Sequence, residues 1–272
     1  MATTGVSLKG KVAIVTGASS GIGAETARYF ASLGCYVSIT GRNLDNLMKV
    51  AKECEERGLP KDKVLVVQGD LSCDEDVKKL VNQTVTQFGR IDVLVNNAGI
   101  VKPDTIETVT MDNFDSTFAV NTRAPLHLLI LAGPHLVKTK GTVVNVSSVN
   151  GVRAFPGVLS YCMSKSALDA LTLGAAETLA LQGVRINSVN PGVIKTDVHR
   201  RGGMNDEQYA QFLEKCSRTH ALGRIGQPIE VAKTIAFLAS DDSSYTTGET
   251  VTIDGGRHAM VIMRPKPEDT KT

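Results

Sequence analysis

Short, largely apolar runs recur along the chain, and the stretches between them place apolar residues at helical spacing. Residues 11–16 (KVAIVT), 36–40 (YVSIT), 63–68 (KVLVVQ), 91–95 (IDVLV), 141–146 (GTVVNV), 184–189 (VRINSV) and 249–253 (ETVTI) are β-branched and do not alternate with polar positions. Such runs predict strands covered on both faces. Helical patterns fill 21–33, 43–57, 73–88, 125–138, 164–182 and 228–239. Strands alternating with helices build βαβ units and a parallel sheet. No Pro/Ser-rich linker, repeat or low-complexity tract interrupts the pattern. The expectation is one α/β domain over 1–272, a doubly wound sheet of about seven parallel strands with helices on both faces. A polar tail at 264–272 is expected to fray. The rhythm breaks at 197–226, which contains Gly202, Gly203 and Gly223 and a short helical middle around 206–215. Loops this long in a compact domain tend to be functional. Met204, Tyr209, Phe212 and Leu213 suit a lid over an organic substrate, with an ordinary surface excursion as the alternative.

Composition narrows the partners. The chain has 272 residues, 42% hydrophobic and 21% charged, as in an ordinary globular protein with a substantial core. A net charge of +2 is too small to make nucleic acid or an anionic membrane the main partner. Aromatic residues are few and Trp is absent, which leaves little for base stacking. Five scattered cysteines, never in CxxC spacing, read as free thiols in a reducing compartment. The histidines form no HExxH, so no metal is expected. The start, MATTGVSLKGK, has no apolar core, and no stretch approaches ~18 unbroken apolar residues. A cytoplasmic protein without a membrane span is expected.

The first strand ends in TGASSGIG. Gly17, Gly21 and Gly23 let the chain turn sharply, bring bare backbone to a pyrophosphate and point free N–H groups at it. The spacing is G-x-x-x-G-x-G, not the common dinucleotide fingerprint, and a tight turn needs glycine in any case. Its position between a strand and a helix is what supports a nucleotide role. Ser19 and Ser20 add hydroxyl donors. At the end of the second strand an NAD site would place an acidic residue against the ribose. Here Gly41 and Arg42 stand instead, with no carboxylate until Asp45. A guanidinium fork matches a 2′-phosphate, so the expected cofactor is NADP(H) rather than NAD(H). The plain alternative is a solvated charge at a helix start.

Residues 145–165 carry Ser148, Tyr161 and Lys165. If Tyr161 opens a helix, Lys165 lies one turn along on the same face. Moving a phenol from a pKa of about 10 to about 7 takes about 4 kcal/mol. One positive charge at about 4–5 Å supplies about 3–4 kcal/mol at an effective dielectric of about 20. Lys165 is therefore of the right size to make Tyr161 a general acid/base, although a YxxxK string by itself decorates many helices.

From about residue 8 to 258 these motifs resemble the single-domain branch of the short-chain dehydrogenase/reductases, which have a Rossmann-type fold. TGASSGIG fits that family's cofactor turn, including Ile22. NNAG at 96–99, with Asn97, Ala98 and Gly99, fits the motif beside the cofactor. Asn121, Ser148, Tyr161 and Lys165 fit its catalytic tetrad. Pro191, Gly192, Val193, Ile194 and Thr196 resemble the segment that contacts the nicotinamide and phosphates, and Asp70 with Leu71 matches the position that brackets adenine. The resemblance implies that Tyr161 protonates the carbonyl oxygen and Ser148 polarises it. It also implies that Lys165 lowers the Tyr161 pKa and holds the nicotinamide ribose, while Asn121 holds a relay water. The thirteen-residue interval to Tyr161 favours Ser148 over Ser147, whose expected role is backbone hydrogen bonding. Cys162 and Met163 depart from the small residues frequent in the family, and Cys162 reads as buried packing.

The expected substrate is a small apolar carbonyl or alcohol, a lipid, steroid, 3-oxoacyl or xenobiotic compound, met by Ser148, Asn150, Arg153, Phe155, Tyr161 and Met204. Residues 167–181 are apolar on more than one face, so this helix and the one at 125–138 are expected to pack against a second copy, and the resemblance implies a dimer or tetramer; burial within its own domain is the alternative. The rival readings are an NAD-dependent alcohol or hydroxysteroid dehydrogenase and a non-catalytic nucleotide-binding scaffold.

Overall fold

A computed structural model describes residues 5–196, 198, 202–261 and 263. The expected tail at 264–272, and residues 197 and 199–201 at the start of the 197–226 excursion, lie outside the described residues. Seven parallel strands form one sheet in the order β3-β2-β1-β4-β5-β6-β7. They are β1 (Val12–Val15), β2 (Tyr36–Gly41), β3 (Val64–Gln68), β4 (Val93–Asn96), β5 (Thr142–Val146), β6 (Arg185–Pro191) and β7 (Thr250–Ile253). Every residue of β1, β4 and β5 is buried, whereas the edge strands β3 and β7 are partly open. Lack of alternation in the sequence thus reports two covered faces.

Alternate side chains feed two cores. Ala13, Val15, Val37, Ile39, Val93 and Val95 pack on one face against α1 (Gly21–Ser32), α2 (Leu44–Glu56) and a late helix, Pro228–Ala239. Ile14, Val67, Leu94, Val143 and Ile186 pack on the other face against α3 (Asp74–Phe88), α5 (Ala124–Thr139) and α7 (Leu159–Ala180). The strand order reverses between β1 and β4, and in doubly wound sheets ligands bind beyond the strand ends at that switch point.

The structure adds to the expected elements. A helix α4 (Met111–Phe118) runs through a π-helical turn, Ala119–Arg123, into α5. Its sequence, MDNFDSTF, is too polar to announce itself. A four-residue helix α6 (Val149–Val152) follows β5, and α7 begins five residues earlier than its apolar pattern, at Leu159. The expected helical middle of 197–226 is α8 (Asp206–Ser217), and α9 is Pro228–Ala239. α8 starts on a capping box in which Asn205 and Gln208 bond each other's backbone N–H. No helix among the described residues is long and apolar enough to cross a membrane.

At the switch point the loop after β4 presses on the turn after β1. Asn97 Nδ2 donates to the Thr16 carbonyl at 2.7 Å, and Thr16 Oγ1 accepts from the N–H groups of Asn97 and Ala98, both at 2.9 Å. A Cβ on Gly23 would lie 2.3 Å from Asn97 Nδ2 and 2.5 Å from the Gly17 carbonyl oxygen. Gly133 in α5 is a control, because a Cβ there meets nothing within 4 Å. Gly23→Ala is expected to destabilise by about 1–3 kcal/mol through overpacking, lowering Tm by about 2–4 °C per kcal/mol. Gly133→Ala is expected to be neutral or stabilising by up to about 1 kcal/mol. Thermal denaturation of both variants checks this; equal melting temperatures would refute the clasp as described.

Candidate active site

The cradle lies where α1 begins. Ser20 holds extended backbone at the N-cap, its side chain makes no capping bond, and the first turn carries no acidic residue. The first N–H groups and the positive end of this helix therefore meet no carboxylate from their own first turn, an arrangement that favours an anion. Gly21 adopts φ +58°, and a Cβ there would lie 3.1 Å from Thr196 Cγ2, so the cradle and the 191–196 segment abut. A Cβ on Gly41 would lie 3.1 Å from Ser19 Oγ, which brings Ser19 against the end of β2. Arg42, exposed, follows β2. Burial pushes the Asp70 carboxyl up, but hydrogen bonds from the Ser72 backbone and hydroxyl, with the charge of Arg42, more than offset it and hold it below the usual range. Leu71 is buried beside it.

Tyr161 sits in the first turn of α7 and Lys165 one turn further, as the spacing requires. Lys165 is 3% exposed, and its Nζ donates to the Val146 carbonyl at 2.8 Å, 5.7 Å from the Tyr161 ring centroid. Burial pulls the Lys165 pKa down to about 8 against the raising influence of Asp169. Burial pushes Tyr161 up to about 12; a hydrogen bond with Ser148 works the other way and Cys162 adds to the rise. Burial dominates both groups, and the Lys165 ammonium is taken up by the Val146 carbonyl.

Ser148 and Ser147 part as strand geometry demands. Ser148 is the N-cap of α6, its Oγ accepting from the Asn150 N–H at 3.1 Å. Ser147 Oγ donates to the Lys165 carbonyl at 3.1 Å. Asn121 lies in the π turn with its side chain fully used. Nδ2 donates to the Ile100 carbonyl at 2.9 Å and to Ser164 Oγ at 3.0 Å, and Oδ1 accepts from the Ile100 N–H at 2.9 Å. Pro125, four residues on, has no N–H to give the Asn121 carbonyl. Gly99 stands between them: a Cβ there would be 3.4 Å from Asn121 Oδ1 and 3.6 Å from Lys165 Nζ.

The substrate candidates separate into groups. Met204 lines a cavity of about 520 Å³ with Pro103, Gln208, Gln211, Phe212 and Lys215. Arg153 is tied to the carbonyls of His258 and Met260, both at 3.1 Å, and Phe155 lies between the guanidiniums of Arg153 and Arg257. Asn150 Nδ2 reaches the buried Cys162 Sγ at 3.5 Å. Tyr209 is 5% exposed and its hydroxyl donates to the Thr196 carbonyl at 2.8 Å, so it anchors α8 instead of lining the lid. Sequence reasoning missed Thr16, Asp169 and Asn190. Asn190 Nδ2 donates to the Ser148 carbonyl and to Asp169 Oδ2, each at 2.9 Å, bracing the loop after β5 on α7. A polar residue in the middle of an apolar strand was the available signal.

Comparison with known proteins agrees with this geometry. Residues 17–258 match the family model described as enoyl-(acyl carrier protein) reductase. The chain is 38% identical to a 3-oxoacyl-(acyl-carrier-protein) reductase of Thermotoga maritima, over 92% of this chain and 98% of that protein. It is 37% identical to the meso-2,3-butanediol dehydrogenase of Serratia marcescens, over 92% and 95%. A short-chain dehydrogenase/reductase of unknown function from Caenorhabditis elegans, solved with cofactor, superposes with a TM-score of 0.90 at 35% identity, covering 93% of this chain and 97% of that one. With a Rossmann-like parallel sheet and these relatives, the chain belongs to the short-chain dehydrogenase/reductase family of oxidoreductases.

Proposed function

We propose that the protein is an NADP(H)-dependent oxidoreductase that interconverts a ketone and a secondary alcohol on a largely apolar small molecule. The observation that carries this reading is the convergence of Ser148 and Lys165 on Tyr161, with Arg42 exposed at the end of β2. The start of α1 with Ser19, Ser20 and Ile22 suits a pyrophosphate, with Thr196 abutting it at Gly21, and residues 191–194 suit the nicotinamide. Asp70 and Leu71 suit adenine, and Arg42 suits a 2′-phosphate. Asn97, Ala98 and Gly99 form the floor beside it. The nicotinamide, when bound, supplies or accepts the hydride. Tyr161 keeps its proton across the working pH range and gives it to the carbonyl oxygen, while the Ser148 hydroxyl holds that oxygen. Lys165 passes a proton on to Tyr161 and is resupplied from solvent through water held at Asn121. In oxidation the same proton runs backwards.

The cavity beside Met204 and Phe212 suits an apolar body, and Gln208, Gln211 and Lys215 give its rim polar contacts. Relatives named for a 3-oxoacyl thioester and for a short diol fit a keto/hydroxy pair in general. The 197–226 excursion forms the substrate side of a single domain. Leu126 (44% exposed) and Ile130 (62%) on α5, with Met163 (45%) and Leu173 (56%) on α7, present apolar stripes that a second copy would cover. A homo-oligomer follows.

Tyr161→Phe is expected to reduce ketone turnover with NADPH by about 10³-fold or more, with NADPH affinity within a few-fold of wild type. Ser148→Ala is expected to lose about 10²-fold in kcat and Ser147→Ala much less. Steady-state kinetics on a ketone panel with fluorescence titration of NADPH measure both, and a Tyr161→Phe variant that turns over normally would end the mechanism. For the cofactor, Arg42→Ala should shift the NADPH/NADH ratio of kcat/KM by about tenfold or more toward NADH. A wild-type protein that already prefers NADH tenfold would overturn the assignment. Light scattering should show an oligomer that Ile130→Glu with Leu173→Glu dissociates; a wild-type monomer contradicts the interface.

A further inference from the structure

His220 has no task in the mechanism above. It is 1% exposed and its ring joins three parts of the chain. Nδ1 lies 2.5 Å from the Cys216 carbonyl at the end of α8, and Nε2 lies 3.2 Å from the Val193 backbone nitrogen. The third part is the turn after β7, where a Cβ on Gly255 would lie 3.7 Å from the ring. A Cβ on Gly192 would lie 3.0 Å from Nε2, so glycine leaves the imidazole room to reach the strand end. The partners define the tautomer. A carbonyl can only accept and a backbone N–H can only donate, so Nδ1 carries the proton and Nε2 offers its lone pair to Val193.

We propose that His220 is a positioning residue for hydride transfer, which by accepting the Val193 N–H holds the 191–194 backbone in the place from which it receives the nicotinamide. The inference rests on the reading that this segment faces the nicotinamide. Without the imidazole a buried N–H is left unpartnered, and the segment gains freedom to move toward another acceptor. Hydride transfer is sensitive to such displacement, with about 1 Å costing about 100-fold. Binding of the adenine and phosphate end depends on α1 and Arg42 and is not expected to follow.

A purely structural His220 would change stability alone, so charge state separates the two roles. Burial lowers the His220 pKa below its usual value; the Cys216 carbonyl and Asp254 oppose this, while Arg257 reinforces it. Cys216 on α8 has its thiol pushed up by burial and is neutral. His258 is held on Asp254 at 2.9 Å, and residues 191–194 contribute no titratable side chain. Protonation would turn Nε2 into a second donor facing the Val193 N–H. Because the folded pKa is depressed below about 6.5, the neutral form and the contact persist down to the folded value, and both fail only as pH falls through it.

The test compares His220→Gln, whose amide oxygen replaces the Nε2 acceptor without titrating, with His220→Leu, which has no acceptor. Ketone kinetics with NADPH and with NADPH deuterated at nicotinamide C4, pH profiles, NADPH titration by fluorescence and thermal melts are recorded for each. His220→Leu should lose about 10–100-fold in kcat with a larger isotope effect, while the dissociation constant of NADPH changes by about threefold or less. His220→Gln should keep kcat within about threefold and lose the acidic limb of the wild-type profile. A folded Leu variant with wild-type kcat and isotope effect, or a Gln variant that keeps the acidic limb, overturns the inference. Should the Leu variant fail to fold, the Gln profile decides alone. A wild-type chain that neither binds nor oxidises NADPH removes the functional reading and this inference together, whereas indifference of the variants in an active enzyme removes the inference only.

Discussion

The clasp between Asn97 and Thr16 is the constraint on which the rest depends. β1 and β4 are neighbours in the sheet, but the chains leaving them diverge, and their backbone groups at the switch point would otherwise be open. Asn97 donates to the Thr16 and Gly17 carbonyls, and Thr16 Oγ1 receives two backbone N–H groups while donating to the Val95 carbonyl. The bonds are short because neither Gly17 nor Gly23 has a side chain; a Cβ on Gly17 would lie 2.8 Å from Ala98 Cα. Glycine at these positions thus answers first to protein packing, and the exposed backbone that suits a phosphate is its consequence. The same clasp sets Gly99 against Asn121 and Lys165, so the loop after β4 and these two side chains share one anchor.

Around Lys165 a buried polar layer replaces the water that a lysine and a tyrosine would have in an open helix. Lys165 gives its charge to the Val146 carbonyl, Ser147 bonds the Lys165 carbonyl, and Asp169 receives Asn190, which also holds Ser148. Coulomb arithmetic at a surface-like dielectric makes Lys165 sufficient to acidify Tyr161. Desolvation reverses the sign, raising the phenol and lowering the ammonium.

Much of this was legible in residue order. Non-alternating apolar runs located all seven strands, and the i,i+4 spacing of Tyr161 and Lys165 held because both lie on α7. What was not legible depends on partners distant in sequence. α4 is polar and gains its place from the π turn that follows it. Asn121 has its side-chain amide taken up by Ile100 and Ser164, partners 21 and 43 residues away that its place in the sequence does not announce. Tyr209 reads as an apolar lid residue because a sequence does not show where a phenol oxygen ends.

The 197–226 excursion illustrates the difference between a lid and a strut. Past α8 the chain returns to the end of β6 and binds it repeatedly. Tyr209 donates to the Thr196 carbonyl, His220 accepts the Val193 N–H, the Gly226 N–H donates to the Val193 carbonyl, and the Lys195 N–H donates to the Gly226 carbonyl. A Cβ on Gly226 would lie 2.4 Å from Ile194 Cδ1, so the approach leaves no slack. Four main-chain groups of 193–196 are thus satisfied by the segment that lines the cavity at Met204 and Phe212. The 206–226 segment and residues 193–196 therefore form one hydrogen-bonded body. Under the proposed function, a substitution within α8 is expected to register in hydride transfer as well as in binding, because the two sides share these bonds.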